Sequence, residues 1–97
     1  MYIVIFTAKI AELDAKYSDL AAKLRDRAIN DYGCTEFVSA TQGKQEIALS
    51  YWPDLDSIKR WKADELHIEA QQLGRSTWYQ GYRVEICEIT RGYGEGL

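Results

Sequence analysis

Residues 34–52 read CTEFVSATQGKQEIALSYW. Two strand-like runs, 34–42 and 45–52, meet at Gly43-Lys44, which predicts a short hairpin turn. The second run alternates, with Ile47, Leu49 and Tyr51 on one face and Ala48 and Trp52 on the other. Pro53 stops it, because proline cannot donate to a ladder.

Outward from this hairpin the pattern becomes helical on both sides. Residues 14–31 place Tyr17, Leu20, Ala21, Leu24, Ala28 and Ile29 at i, i+3 and i+4 spacing, and Gly33 supplies a stop. On the other side Asp54 or Asp56 caps a helix carrying Leu55, Ile58 and Trp61. The spacing slips after Trp61, so a break falls near 62–64, with Asp64 as a new cap and a further helix through Leu73. Gly74 ends it, and 75–78 form a short helical turn.

Strands flank the whole. Residues 2–10, YIVIFTAKI, are β-branched and aromatic, as in a strand buried on both faces. Ile3 and Ile5 fall on one face, and Tyr2, Val4 and Phe6 on the other. Residues 79–90 form the last strand, and 91–97 a Gly-rich tail. The order β-α-β-β-α-β predicts an α+β, ferredoxin-like antiparallel sheet in a single domain over residues 1–97. Its helices cover one sheet face, so an apolar second face predicts a homodimer with two sheets packed together. Tyr2, Phe6 and Trp52 are expected on sheet faces and in dimer burial.

A chain of 97 residues excludes a dinucleotide-binding two-domain enzyme and a multi-span transporter. Apolar residues at 46% and charged residues at 28% favour folding over disorder. Net charge is −3 and evenly spread: residues 1–48 hold six basic and seven acidic side chains, residues 49–97 six and eight. With no basic stripe, neither nucleic acid nor an anionic membrane is expected as partner. The apolar start, Met1 to Phe6, is too short for a leader or a span. Cys34 and Cys87 belong to no metal or redox motif, so a reduced, cytoplasmic protein with two inert thiols is expected. One histidine cannot build a multi-histidine metal centre.

Candidate chemistry gathers in the second half: Tyr51, Trp52, Trp61, His67, Arg75, Trp78, Tyr79 and Tyr82. His67 is either a general base or donor to a substrate oxygen, or a helix histidine paired with Asp64 or Glu65. Trp61 is either a core anchor or a pocket wall whose indole N–H meets a ligand. Tyr51, Trp52 and Trp78 carry the same ambiguity. Arg75 is either an anion partner or a surface ion pair.

Ser50-Tyr51-Trp52, Ile58, Trp61-Lys62, His67, Ala70-Gln71, Gly74-Arg75, Trp78-Tyr79, Tyr82 and Arg83-Val84 together resemble the antibiotic biosynthesis monooxygenase (ABM) domain family. Gly33-Cys34 with Glu36-Phe37 adds to the likeness, which runs through nearly the whole chain. The resemblance implies a dimeric α+β barrel with a small-molecule pocket in each protomer. It implies oxidation of polycyclic aromatic phenols or quinol-like compounds by O₂, with no cofactor. Trp61, His67 and Arg75 would then be catalytic, and Tyr51, Trp52, Trp78, Tyr79 and Tyr82 would bind a hydrophobic, aromatic substrate. A haem-degrading branch resembles a pattern of strand Asn, helix Trp and a His ten positions later. Here those places hold Thr7, Trp61 and Gln71, with His67 only six from Trp61. An isomerase and a non-catalytic metabolite-binding dimer are the other readings of the same scaffold.

Overall fold

A computed structural model describes all 97 residues. Four strands, β1 (Tyr2–Ile10), β2 (Glu36–Gln42), β3 (Gln45–Trp52) and β4 (Tyr79–Glu88), form one antiparallel sheet in the order β2-β3-β1-β4. Helix α1 (Ala15–Asp31) crosses from β1 to β2; α2 (Leu55–Lys62) and α3 (Glu65–Leu73) cross from β3 to β4. A π-helical turn, Gly74–Trp78, feeds β4. This is the expected ferredoxin-like α+β fold.

The local reasons are those in the sequence. Asp14, Asp54 and Asp64 cap the three helices by accepting from the backbone N–H groups of Tyr17, Ser57 and Leu66. Asp54 thus caps α2, not Asp56. Gly33 stands at φ +85° beyond α1, in the left-handed region that a side chain disfavours. Gly43 leads the hairpin turn at φ +60°, while Lys44 keeps φ negative, the arrangement of a type II′ turn.

Two strand ends fall short of the expected bounds. Cys34 is pulled into the core with its N–H on the Ala28 carbonyl, so β2 starts at Glu36. The β1–β4 ladder closes at Tyr2 opposite Glu88, which ends β4 two residues early. The α1 stripe is narrower than its spacing suggested. Leu20 and Ala28 are buried, whereas Ala21 and Ile29 face water.

Register assigns the faces. Tyr2, Val4, Phe6 and Ala8 of β1 stand opposite Trp52, Ser50, Ala48 and Glu46 of β3, and this face lies under the helices. Val4, Ala28, Cys34, Trp52, Ile58 and Trp61 form its core, with Tyr2 packed against them. Tyr2, Phe6 and Trp52 therefore lie under the helices, not on the open face, because Ile3 and Tyr51 hold the alternate positions. The open face carries Ile3, Ile5, Val38, Ile47, Leu49 and Tyr51, none of them buried. No helix is long and apolar enough to cross a membrane.

Candidate functional site

The helix-covered face holds two ring clusters at opposite ends of β3. Trp52 and Glu46 mark them, six residues apart, or about 20 Å along a strand.

At the Trp52 end, Trp61 packs between three rings. Its centroid lies 5.1 Å from Trp52, 6.0 Å from Phe37 and 4.3 Å from His67. Its Nε1–H donates to the Leu24 carbonyl at 3.2 Å, so the indole donor is already engaged by α1. His67 is half-buried on α3, and Gln71 approaches its Nδ1 through Nε2 at 3.0 Å. Burial, with a smaller contribution from the Lys62 charge, holds the imidazole down to about pKa 4. The ring is therefore neutral at pH 7. An amide N–H donating to Nδ1 leaves the proton on Nε2, which makes His67 a hydrogen-bond donor in that tautomer.

Asp64 is not the partner of His67. It accepts from Arg27 at 2.8 and 3.0 Å, from Tyr32 Oη at 2.7 Å and from the Leu66 N–H at 2.9 Å. Burial opposes its charge, but these donors outweigh it and hold the carboxyl below the usual range.

At the other end, Glu46 is only 8% exposed and accepts hydrogen bonds from two phenols. Tyr17 Oη of α1 donates to Oε1, and Tyr79 Oη of β4 donates to Oε2 at 3.2 Å. Burial, then the neighbouring carboxylate, raises both phenol pKa values well above 10. Phe6, Trp78 and Tyr82 complete the cluster around Tyr17 and Tyr79. Trp78 Nε1–H donates to Asp14 Oδ1 at 3.1 Å, tying the π-turn to the α1 cap. Gly74 makes room for the Tyr79 ring, which a Cβ there would meet at 3.1 Å.

The expected site residues therefore divide. Trp61 and His67 touch; Tyr79 and Tyr82 adjoin each other in the second cluster, with Trp78 beside Tyr79. Tyr51 and Trp52 cannot line one pocket, because neighbours on a strand point to opposite faces. Trp52 is wholly buried and bonded to Ser50 Oγ, so it presents no surface to a ligand. Arg75 is exposed on the π-turn and joins none of the ion pairs. From the sequence Tyr17 is legible only as part of the α1 apolar stripe, and Glu46 is not singled out at all. The available signal was a glutamate on the helix-covered side of β3, in phase with Ala48 and Trp52.

Between the clusters, the outer strip of β4 is open on the helix side: Tyr82, Val84 and Ile86 are 41–44% exposed. No set of three or more His, Cys, Asp or Glu side chains is gathered as a metal site. Both cysteines are free, and burial pushes the Cys34 thiol upward.

No family model matches the chain. It is 33% identical over 92 residues to the uncharacterised protein YqjZ of Bacillus subtilis, an alignment spanning 93% of this chain and 80% of that one. It is 28% identical over 95 residues to a jasmonate monooxygenase ABM of Pyricularia oryzae, where it spans only 44% of that protein. Its fold is similar to that of SnoaB, a cofactor-independent oxygenase from Streptomyces nogalater, at TM-score 0.79 and 11% identity over 97% of both chains. A crystal structure of an antibiotic biosynthesis monooxygenase is similar at TM-score 0.72 and 16% identity, over 94% of this chain and all of that one. By residue likeness the chain belongs to one family with YqjZ, and along nearly its full length it has the fold of the antibiotic biosynthesis monooxygenases (ABM).

Proposed function

We propose that this protein is a cofactor-independent monooxygenase, acting as a homodimer on a small aromatic or quinol-like substrate. The observation that carries this reading is the Trp61–His67 contact on the helix side of an ABM fold. It sets a neutral imidazole, held at Nδ1 by Gln71, against an indole whose own N–H is engaged by the Leu24 carbonyl. Such a site suits an electron-rich phenol that becomes the reductant of O₂ once it loses a proton. An uncharged Nε2–H donor beside the enolate oxygen stabilises the developing charge, and apolar walls exclude water. In the balanced step a ring methylene loses two hydrogens and gains one oxygen atom. The second oxygen atom leaves as water, and the substrate supplies all four electrons. His67 is the donor, Trp61 the wall that fixes it, and Tyr79 and Tyr82 the aromatic surface along β4. Arg75 is free to meet an anion at the rim; Tyr51 belongs to the dimer face, and Trp52 and Trp78 to the supporting packing.

The dimer reading rests on the apolar open face, where Ile3, Ile5, Leu49 and Tyr51 lie side by side across β1 and β3. A second copy buries this surface and closes two sheets into a barrel.

The test is O₂ uptake with an anthrone-type substrate. The wild-type chain should consume one O₂ per quinone formed, and His67→Gln and Trp61→Phe should each lower the rate at least tenfold while remaining folded. No uptake by the wild type, or wild-type rates in both variants, overturns the assignment. Turnover under anaerobic conditions marks an isomerase, and saturable binding without turnover a carrier.

A further inference from the structure

At its Ile86 end, the open β4 strip on the helix side widens into a groove between α2 and the β4 edge. It has a volume of about 330 Å³ and is lined by Leu55, Ile58, Lys59, Lys62 and Ile86. That places it near the lower end of small-molecule pockets, about 300–1,000 Å³. Leu55, Lys59 and Lys62 share one side of α2 by their i, i+4, i+7 spacing, and Ile58 adjoins them toward the sheet. The floor is Ile58 with Ile86, and Leu55 and Ile86 remain 52% and 44% exposed. Apolar side chains left open together in this way mark a contact site.

The rim is cationic and unpaired. Neither Lys59 nor Lys62 takes part in an ion pair, although Asp56 on the same helix is engaged by Arg60 at 3.1 Å. No acidic side chain lines the opening. Their long stems reach over the apolar floor and leave two ammonium groups at the rim, an arrangement complementary to a single negative charge on an apolar body. The opening also lies on the opposite side of the sheet from the face assigned to the partner copy, so a dimer leaves it accessible.

We infer that this groove binds a small amphiphilic carboxylate. Its apolar body lies over Ile58 and Ile86, and its carboxylate is held by Lys59 and Lys62. Lys62 is the last residue of α2 and α3 follows after the break, so the anionic head would sit at the end of the groove nearer that break. The inference rests on the proposed oxygenase reading only in placing a substrate on this side of the sheet, and binding can be read without turnover.

Octanoate and 1-octanol, titrated separately into the full chain and followed by heteronuclear NMR, test it. Octanoate should shift the Leu55, Ile58 and Ile86 amides saturably and bind more tightly than 1-octanol. The double variant Lys59→Gln/Lys62→Gln should weaken octanoate about five- to tenfold and leave 1-octanol unchanged. Ile86→Glu, which sets a carboxylate on the floor of the groove, should abolish octanoate binding. Equal affinity for acid and alcohol overturns the inference, as does octanoate bound equally by the double variant, or shifts confined to the open sheet face. Loss of octanoate binding with O₂ uptake retained discards only the carboxylate; octanoate binding without uptake discards only the oxygenase.

Discussion

The imidazole of His67 stands edge-on to the Trp61 indole, with centroids 4.3 Å apart and planes at 82°. The contact spans the break between α2 and α3, so it joins two short helices neither of which would persist alone. It also makes the protonation of one ring a matter of stability.

His67 has a folded-state pKa near 4 against an ordinary value of 6.5, because burial disfavours its charge. The unfolded chain therefore binds more protons between pH 6.5 and 4, and stability falls as pH drops through that window. The loss should be at most about 3 kcal/mol. Urea denaturation at pH 7 and pH 4.5 should show it in the wild type and show a flatter dependence in His67→Phe. Identical slopes in the two proteins would exclude a buried neutral imidazole.

Glu46 fixes α1 to β4 through Tyr17 and Tyr79. Both phenols are raised above 10, so the stability they contribute is complete below pH 10 and is lost as pH rises beyond it. Tyrosinate absorbance should show these two ionising only with alkaline unfolding. Tyr17→Phe should cost about 1–2 kcal/mol, since it removes one donor from a buried carboxylate. Early ionisation of all seven tyrosines would contradict the clamp.

Asp64 joins α1 to the start of α3, where Arg27, Tyr32 and the Leu66 N–H converge on it. Asp64→Ala should destabilise by about 2 kcal/mol, and Asp64→Asn by less, because asparagine keeps the cap and loses the ion pair. Its lowered pKa means that this contribution is present above the ordinary carboxyl range and fades as pH falls below about 4. The His67 and Asp64 effects thus occupy successive pH windows.

On the open face, Leu49 stands between Ile5 of β1 and Val38 of β2. Leu49→Lys places a charge in the middle of the proposed dimer surface. Sedimentation at micromolar concentration should give a dimer for the wild type and a monomer for the variant. A wild-type monomer would leave that face unpaired.

The sequence by itself determined the element order, the Asp64 cap after the helix break, the hairpin at Gly43 and the alternation along β3, while it left the α2 cap open between Asp54 and Asp56 and did not single out Asp14. These depend on neighbours within about four residues, so a local pattern carries them. Trp61 and His67 were legible as candidates, but within one larger group with Arg75, Trp78, Tyr79 and Tyr82 that the structure divides.

What the tertiary structure decided is which side of each alternation lies beneath the helices. Periodicity separates Tyr51 from Trp52 but does not say which is buried, because that depends on where the crossovers of α1, α2 and α3 lie. The same holds for Glu46, whose phenol partners are 29 and 33 positions away. A buried carboxylate is tolerable only where donors from distant segments reach it, and their arrival is a property of the packed sheet and helices, not of the strand that carries the charge.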